Sequence, residues 1–419
     1  MKKSLFAIAA VTAFAGAAQA QSSVTVYGIL DVGYIGSNVR VNNSGNTTTN
    51  GVAKKTTNQF GQSAETSSRL GFKGTEDLGG GASAFFTAEF ALSPNDQNLS
   101  GQSATAGTTA GLTNRQTFVG VKKNGIGQLA IGTQYTTVFN ALAATDPGQT
   151  NNMAGSVIYP QASTGNNTVD VGNNAAFTVR TSNTLSVKSD KFAGFTGSAF
   201  AVLNNKNETQ TTTAAGVATA GGNTNASGWG IGADYALNKF YITAAYQSLK
   251  QLTTVGNGSP TGATAWTQAQ ASGATLISGG AFNTTDNQIF AGATYDFGIL
   301  KAYANYTQRK ATSSASSNYY IKRSAEQIGV RSYITPTIEG WASAGLGRYT
   351  EFGTGTPTQN LNGWQLGSNY YLSKRTNLYA IYGQTLTSNG SGTFTNGSAT
   401  VTTRSSGISN YAIGVRHTF

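Results

Sequence analysis

Cysteine is absent from all 419 residues, which removes any disulfide framework or thiolate centre. A single histidine, His417, leaves no multi-histidine zinc site and makes a Ser-His-Asp triad improbable, because it falls on the apolar parity of the final run. Charge is scarce too, at 10% of residues against about a quarter in soluble globular domains. No stretch after residue 20 reaches the roughly 20 strongly apolar residues of a membrane-spanning helix, and mean hydropathy is −0.22. These shortages exclude a disulfide-stapled secreted domain and a helical membrane protein. In their place stand 53 glycines and long tracts of Asn, Ser and Thr, a composition that fits either a secreted solenoid or a β-barrel.

At the N-terminus Lys2 and Lys3 precede an apolar run over 5–18, which ends in Ala18-Gln19-Ala20. Charged region, short apolar core and small-residue cleavage site together read as a secretory signal peptide over 1–20. One β-barrel domain over 21–419 is then expected, since no composition shift marks a second one.

Alternation separates barrel from solenoid. Val24, Val26, Leu30 and Val32 share one face and Thr25, Tyr27 and Asp31 the other; Leu70 and Phe72 alternate with Arg69, Gly71 and Lys73. Ala84, Phe86, Ala88 and Phe90 oppose Ser83, Thr87 and Glu89, and Leu300, Ala302, Ala304 and Tyr306 alternate with Lys301, Tyr303, Asn305, Thr307 and Arg309. A polar face bearing Lys, Arg and Glu cannot be a dry core, so it faces water and the apolar face meets lipid. No repeat of 20–50 residues marks a solenoid or propeller.

The connections alternate in length as well. Tight turns are expected near 77–80, 123–125, 191–193, 237–239, 297–298, 335–337 and 374–375, and long polar segments over 37–65, 93–113, 136–178, 204–226, 250–285, 310–322, 350–362 and 388–406. Seven short turns and eight long loops predict sixteen antiparallel strands of about 9–11 residues closed into a barrel, which leaves no backbone group unpaired in lipid. The low-complexity tracts 37–59, 204–227 and 386–406 are expected to carry little structure of their own.

Tyr411, Ile413, Val415, His417 and Phe419 share one face of the closing run, opposite Asn410, Ala412, Gly414 and Arg416. This run, with Ser22-Ser23-Val24-Thr25-Val26-Tyr27-Gly28, Ser68-Arg69-Leu70-Gly71-Phe72-Lys73-Gly74-Thr75-Glu76-Asp77-Leu78-Gly79-Gly80-Gly81 and Asn114-Arg115-Gln116-Thr117-Phe118-Val119-Gly120, resembles the general porins of Gram-negative bacteria, especially their β-proteobacterial branch. The resemblance implies a homotrimer and a third extracellular loop folded into the lumen as a constriction. It also implies an arginine cluster on the wall, which falls on Arg69, Arg115 and Arg180, and carboxylates on the loop facing it. Lys73 shares the lumen parity of Arg69. Asp146 matches the loop's opening and Asp170 is the other acid between Tyr135 and Arg180, while Pro147-Gly148-Gln149-Thr150 replaces a Pro-Glu-Phe-Gly motif usual in relatives.

The chain carries +11, of which Lys2 and Lys3 contribute two, leaving +9 for the expected mature protein. Positive lumen charge concentrates anions, so a water-filled channel for small hydrophilic solutes with anion preference is the function expected. Lipid and lipopolysaccharide are the expected surroundings, with no cofactor, no metal and no nucleic acid, since the charges are dispersed and form no basic module. A solute-specific channel is the nearest alternative; a barrel enzyme built on an acidic dyad and a secreted adhesin are the remoter ones.

Overall fold

The computed structural model describes residues 23–43, 51–96, 112–160, 175–212, 218–253, 284–313, 320–351, 358–388, 393–396 and 399–419. The expected signal peptide over 1–20 lies outside them. In chain order the strands are β1 (Ser23–Asn43), β2 (Gly51–Gln62), β3 (Arg69–Gly79), β4 (Ala82–Ala91), β5 (Thr113–Lys123) and β6 (Gly127–Tyr135). A helix, α1 (Thr137–Thr145), precedes β7 (Arg180–Ser189), β8 (Phe195–Thr212), β9 (Ala218–Leu237), β10 (Phe240–Thr253), β11 (Thr284–Asp296) and β12 (Lys301–Ser313). Then come β13 (Tyr320–Thr335), β14 (Ile338–Glu351), β15 (Gln359–Tyr371), β16 (Thr376–Ser388), β17 (Thr393–Asn396) and β18 (Ala399–Thr418).

Each strand pairs antiparallel with its neighbours, and β1 closes the ring by pairing with β18 from Ile29↔Thr418 to Asn43↔Thr403. Eighteen segments make sixteen barrel strands for two local reasons. β2 and β3 both pair with β1, end to end, and are one wall strand broken at 63–68. β17 pairs only with the outer end of β18, as a hairpin extension. All seven short turns fall where the sequence places them, and Gly28 of β1 and Phe419 exchange backbone hydrogen bonds at 3.1 Å.

The tracts expected to be unstructured differ in part. β1 and β2 stay paired out to Asn43↔Gly51, and β8 and β9 out to Thr212↔Ala218. Backbone pairing continues the ladder through these tracts, so several strands run well past 9–11 residues.

Burial is inverted relative to a soluble protein. Val24, Val26, Val119, Ile131, Ile231, Ile328 and Ile413 are exposed on the outer face, whereas Asp31, Gln247, Asp286, Gln288, Arg309 and Gln327 are buried on the inner one. That is the apolar-out, polar-in order of a barrel in lipid. The main apolar cluster lies where Val138, Phe139, Leu142, Val157 and Phe177, all from the segment between β6 and β7, meet Phe290 of β11 and Leu361 of β15.

Candidate functional site

Two groups of polar side chains occupy the inner face. The first centres on Glu89 of β4. Its carboxylate accepts from Arg115 Nε at 2.7 Å and from the Tyr27 hydroxyl at 3.1 Å, and lies 3.8 Å from Arg69 Nη1. Arg115 also donates to the Tyr135 hydroxyl at 2.8 Å, and the Arg180 guanidinium lies 5.6 Å from the Tyr135 ring centroid. Lys73 Nζ is 5.4 Å from the Tyr27 ring. The structure therefore brings Arg69, Arg115, Arg180 and Lys73 together on β3, β5 and β7. Glu89 holds Arg115 and lies against Arg69, and the sequence places it only on a polar face.

Access differs within the cluster. The Arg115 side chain is 3% exposed, that of Arg69 19%, and Lys73 is exposed. Arg69 and Lys73 thus offer their charge to water, and Arg115 is tied behind them.

The second group holds the described parts of the segment between β6 and β7, residues 136–160 and 175–179. α1 begins at Thr136, whose side chain accepts from Phe139 N at 3.2 Å, and rests against β9–β12. Gln288 accepts from Thr178 N at 2.6 Å, Asn305 donates to Thr145 O at 3.0 Å and Gln327 accepts from Val157 N at 3.0 Å. Gln365 donates to Met153 O and Ala154 O at 2.9 Å each and accepts from Asn151 at 3.0 Å. Farther on, Gly155 N donates to Thr385 Oγ1 at 2.9 Å and Asn152 Nδ2 to Ser63 O at 2.7 Å, in the break between β2 and β3. Buried amides on β10, β11, β12, β13 and β15 thus satisfy backbone groups that would otherwise be costly to bury. Nothing local in the sequence marks these glutamines, since inward parity reads equally well as water-facing.

Asp146 belongs to this second group and is directed to β13, not to the arginines on β3, β5 and β7. It accepts from Thr150 N at 2.7 Å, Gly148 N at 3.2 Å and Gln327 Nε2 at 3.4 Å, and is 3% exposed. Burial pushes its pKa above the usual carboxylate range, against the opposing pull of those hydrogen bonds and of Arg331. With the pKa raised in the seated loop, the stabilisation it contributes is complete below about pH 4 and is lost as pH rises through the shifted value. Asp170 lies outside the described residues.

The remaining inward arginines near the loop are engaged. Arg309 pairs with Asp286 at 2.5 Å, Arg331 with Glu339 at 2.6 Å, and Arg323 donates to Val157 O at 2.6 Å. Among the described residues there is no cluster of three or more His, Asp or Glu able to hold a metal ion.

A sequence model of the family described as Gram-negative porin matches residues 7–390. An outer membrane porin protein of Bordetella pertussis is 28% identical over 403 residues, spanning 91% of this chain and 93% of that relative. Among solved structures, an anion-selective porin from Comamonas acidovorans aligns with a TM-score of 0.64 at 20% identity, covering 95% of this chain and 100% of that one. A trimer form of the outer membrane protein OmpT of Vibrio cholerae aligns at 0.56 and 12% identity, covering 95% and 99%. At such identities the structural likeness speaks for the fold alone.

Proposed function

The chain belongs to the Gram-negative porin family and is an outer-membrane β-barrel channel; we propose that it is not an enzyme and that it passes small hydrophilic solutes with a preference for anions, through an opening between the described parts of the segment between β6 and β7 and the wall at β3–β5. The observation that carries this reading is that Arg69 and Lys73 reach water beside an Arg115–Glu89 pair, so the accessible charge on that wall is positive. The hydrogen bonds from β10–β16 to the loop support its placement inside the barrel, opposite those cations. Reversal potentials in planar bilayers under a salt gradient test it, and a cation-selective potential overturns it.

We read 1–20 as the export signal and the functional unit as a homotrimer seated in lipid and lipopolysaccharide, in keeping with the trimeric relative. The expected result is an SDS-resistant oligomer that falls to monomer on boiling; migration as a monomer before heating would count against it.

Asp146 is assigned to seating the loop, and not to the ion path. Asp146→Asn should leave the low-salt reversal potential at the wild-type value, because a carboxylate buried against Gln327 contributes little field to the aqueous route. A shift toward anions would place it on that route instead.

A further inference from the structure

Between β2 and β3 the chain leaves the wall. Ile29 of β1 pairs with Arg69 and Val32 with Gln62, so only Leu30 and Asp31 stand opposite the six residues 63–68. The surplus is accommodated as an inward excursion. Ser63 takes a left-handed backbone at φ 61°, Ser63, Ala64, Glu65 and Ser68 are buried, and Ala64 packs in one cluster with Met153 and Tyr379.

Asp31 holds this excursion in place. One carboxylate oxygen accepts from Glu65 N at 2.9 Å and Thr66 N at 2.7 Å, and the other from the Tyr379 hydroxyl of β16 at 2.6 Å. Its backbone joins in: Ser63 N donates to its carbonyl at 2.8 Å, and its own N–H donates to Ser68 Oγ at 3.0 Å. Glu65 adds a second tie, accepting from Asn377 Nδ2 at 3.1 Å and lying 3.5 Å from Arg416 Nη1. The excursion is thereby fixed to β1, β16 and β18. Asp31 itself is 0% exposed.

What the excursion holds in turn lies on two sides. Asn152, at the tip of the segment between β6 and β7, donates through Nδ2 to Ser63 O at 2.7 Å and Ser67 Oγ at 3.1 Å, and through its backbone N–H to Ala64 O at 3.0 Å. Toward β3, Ser67 O accepts from Arg69 Nε at 3.0 Å. That bond, with Glu89 3.8 Å from Nη1, orients a guanidinium whose side chain is 19% exposed. Ser67 is therefore shared by the loop tip and the accessible cation.

We propose that Asp31 is a positioning residue for the channel: through the bracket 63–68 it fixes both the loop tip and the guanidinium of Arg69, and so sets the anion preference without facing an ion. The inference rests on the pore reading above, in which Arg69 lines the route. Its sign differs from that of simple electrostatics. Deleting a carboxylate from the lumen wall would by charge alone favour anions. Loosening the bracket disfavours them, because a lifted tip lets ions pass farther from Arg69, and Arg69 without Ser67 closes on Glu89.

The absence of cysteine makes the tip directly readable. Met153 is fully buried in the seated tip, so in a Met153→Cys background the rate of modification by a sulfonated methanethiosulfonate, added to porin in liposomes, reports release. Asp31→Ala in that background removes the acceptor of three bonds and should speed modification at least about tenfold. In the otherwise native chain it should lower anion over cation permeability at least about threefold. Asp31→Asn should match the parent in both measurements, since its amide oxygen accepts from Glu65 and Thr66 while its NH2 group donates to the Tyr379 hydroxyl. Tyr379→Phe, which removes one bond, should speed modification about fivefold, and it carries the test should Asp31→Ala fail to assemble. Unchanged modification in both Asp31→Ala and Tyr379→Phe overturns the proposal. So does a rise in anion preference in both Asp31→Ala and Asp31→Asn, which would mean that Asp31 acts by its charge. Modification does not depend on ion selectivity: a cation-selective wild type with a fast-reacting Asp31→Ala tip would overturn the pore reading and keep the bracket.

Discussion

Arg69→Glu should collapse or invert the anion preference while leaving a folded barrel. The side chain projects from the inner face of β3, beside Lys73 and across from the lipid-facing Leu70 and Phe72, so one wet charge replaces another. A two-unit change about 7 Å from a permeating ion shifts its energy by about 1 kcal/mol even at the dielectric constant of water, roughly fivefold in relative permeability. The low-dielectric wall adds to this by focusing the field. Screening gives an internal control, because the Debye length is about 10 Å at 0.1 M salt and about 3 Å at 1 M. The effect should therefore shrink at high salt. Glu89→Gln should move the potential the other way, since it removes the carboxylate that lies between Arg69 and Arg115. An Arg69→Glu channel with the wild-type potential at low salt would remove Arg69 from the ion path.

The barrel was legible because its signals are local. Turn residues and period-2 alternation recur within each hairpin, and both follow directly from a sheet with water on one face and lipid on the other. The polar cluster on β3–β7 was legible only in part. Arg69 follows from alternation with Phe72, but Arg115 does not: it shares odd parity with Val119 and Val121, which face outward. A register shift between Glu89 and Phe90 pairs them with Gln116 and Asn114 and leaves Arg115 as the extra residue, which turns it inward beside Glu89. Re-aiming one side chain is what a β-bulge does, and no residue pattern announces it. Asp146 was misdirected for another reason. Its wall partner Gln327 is 181 residues away, and which side of the barrel a loop leans on is set by such distant contacts. α1 escaped notice because nine residues, six of them Thr, Ala or Leu, set between polar tracts carry little helical signature, and its capping Thr136 is one threonine among many.

Gly383→Val should release the tip of the loop and widen the channel. A Cβ at Gly383 would overlap the carbonyl of Ala154, and the wall cannot retreat, because β16 is paired at this point to Gln365 on one side and Asn410 on the other. The loop has to move. What it loses is considerable: Met153 is fully buried among Ile35, Ala64, Trp341, Tyr379 and Ile381, and Gln365 donates to the carbonyls of Met153 and Ala154. Three bonds to Gln365 at about 1 kcal/mol each would favour the seated tip by roughly a hundredfold. Gln365→Ala, which deletes the bonds without adding bulk, should therefore act in the same direction as Gly383→Val. Both should raise single-channel conductance and admit larger uncharged sugars in liposome swelling. Both should also weaken selectivity, because ions would pass farther from Arg69. Gly197→Ala is the control, since a Cβ there approaches no atom closer than 3.9 Å. If conductance and size limit stay at wild-type values in both loop variants, the segment 136–179 does not set the width of the channel, and the narrow point lies elsewhere along the barrel.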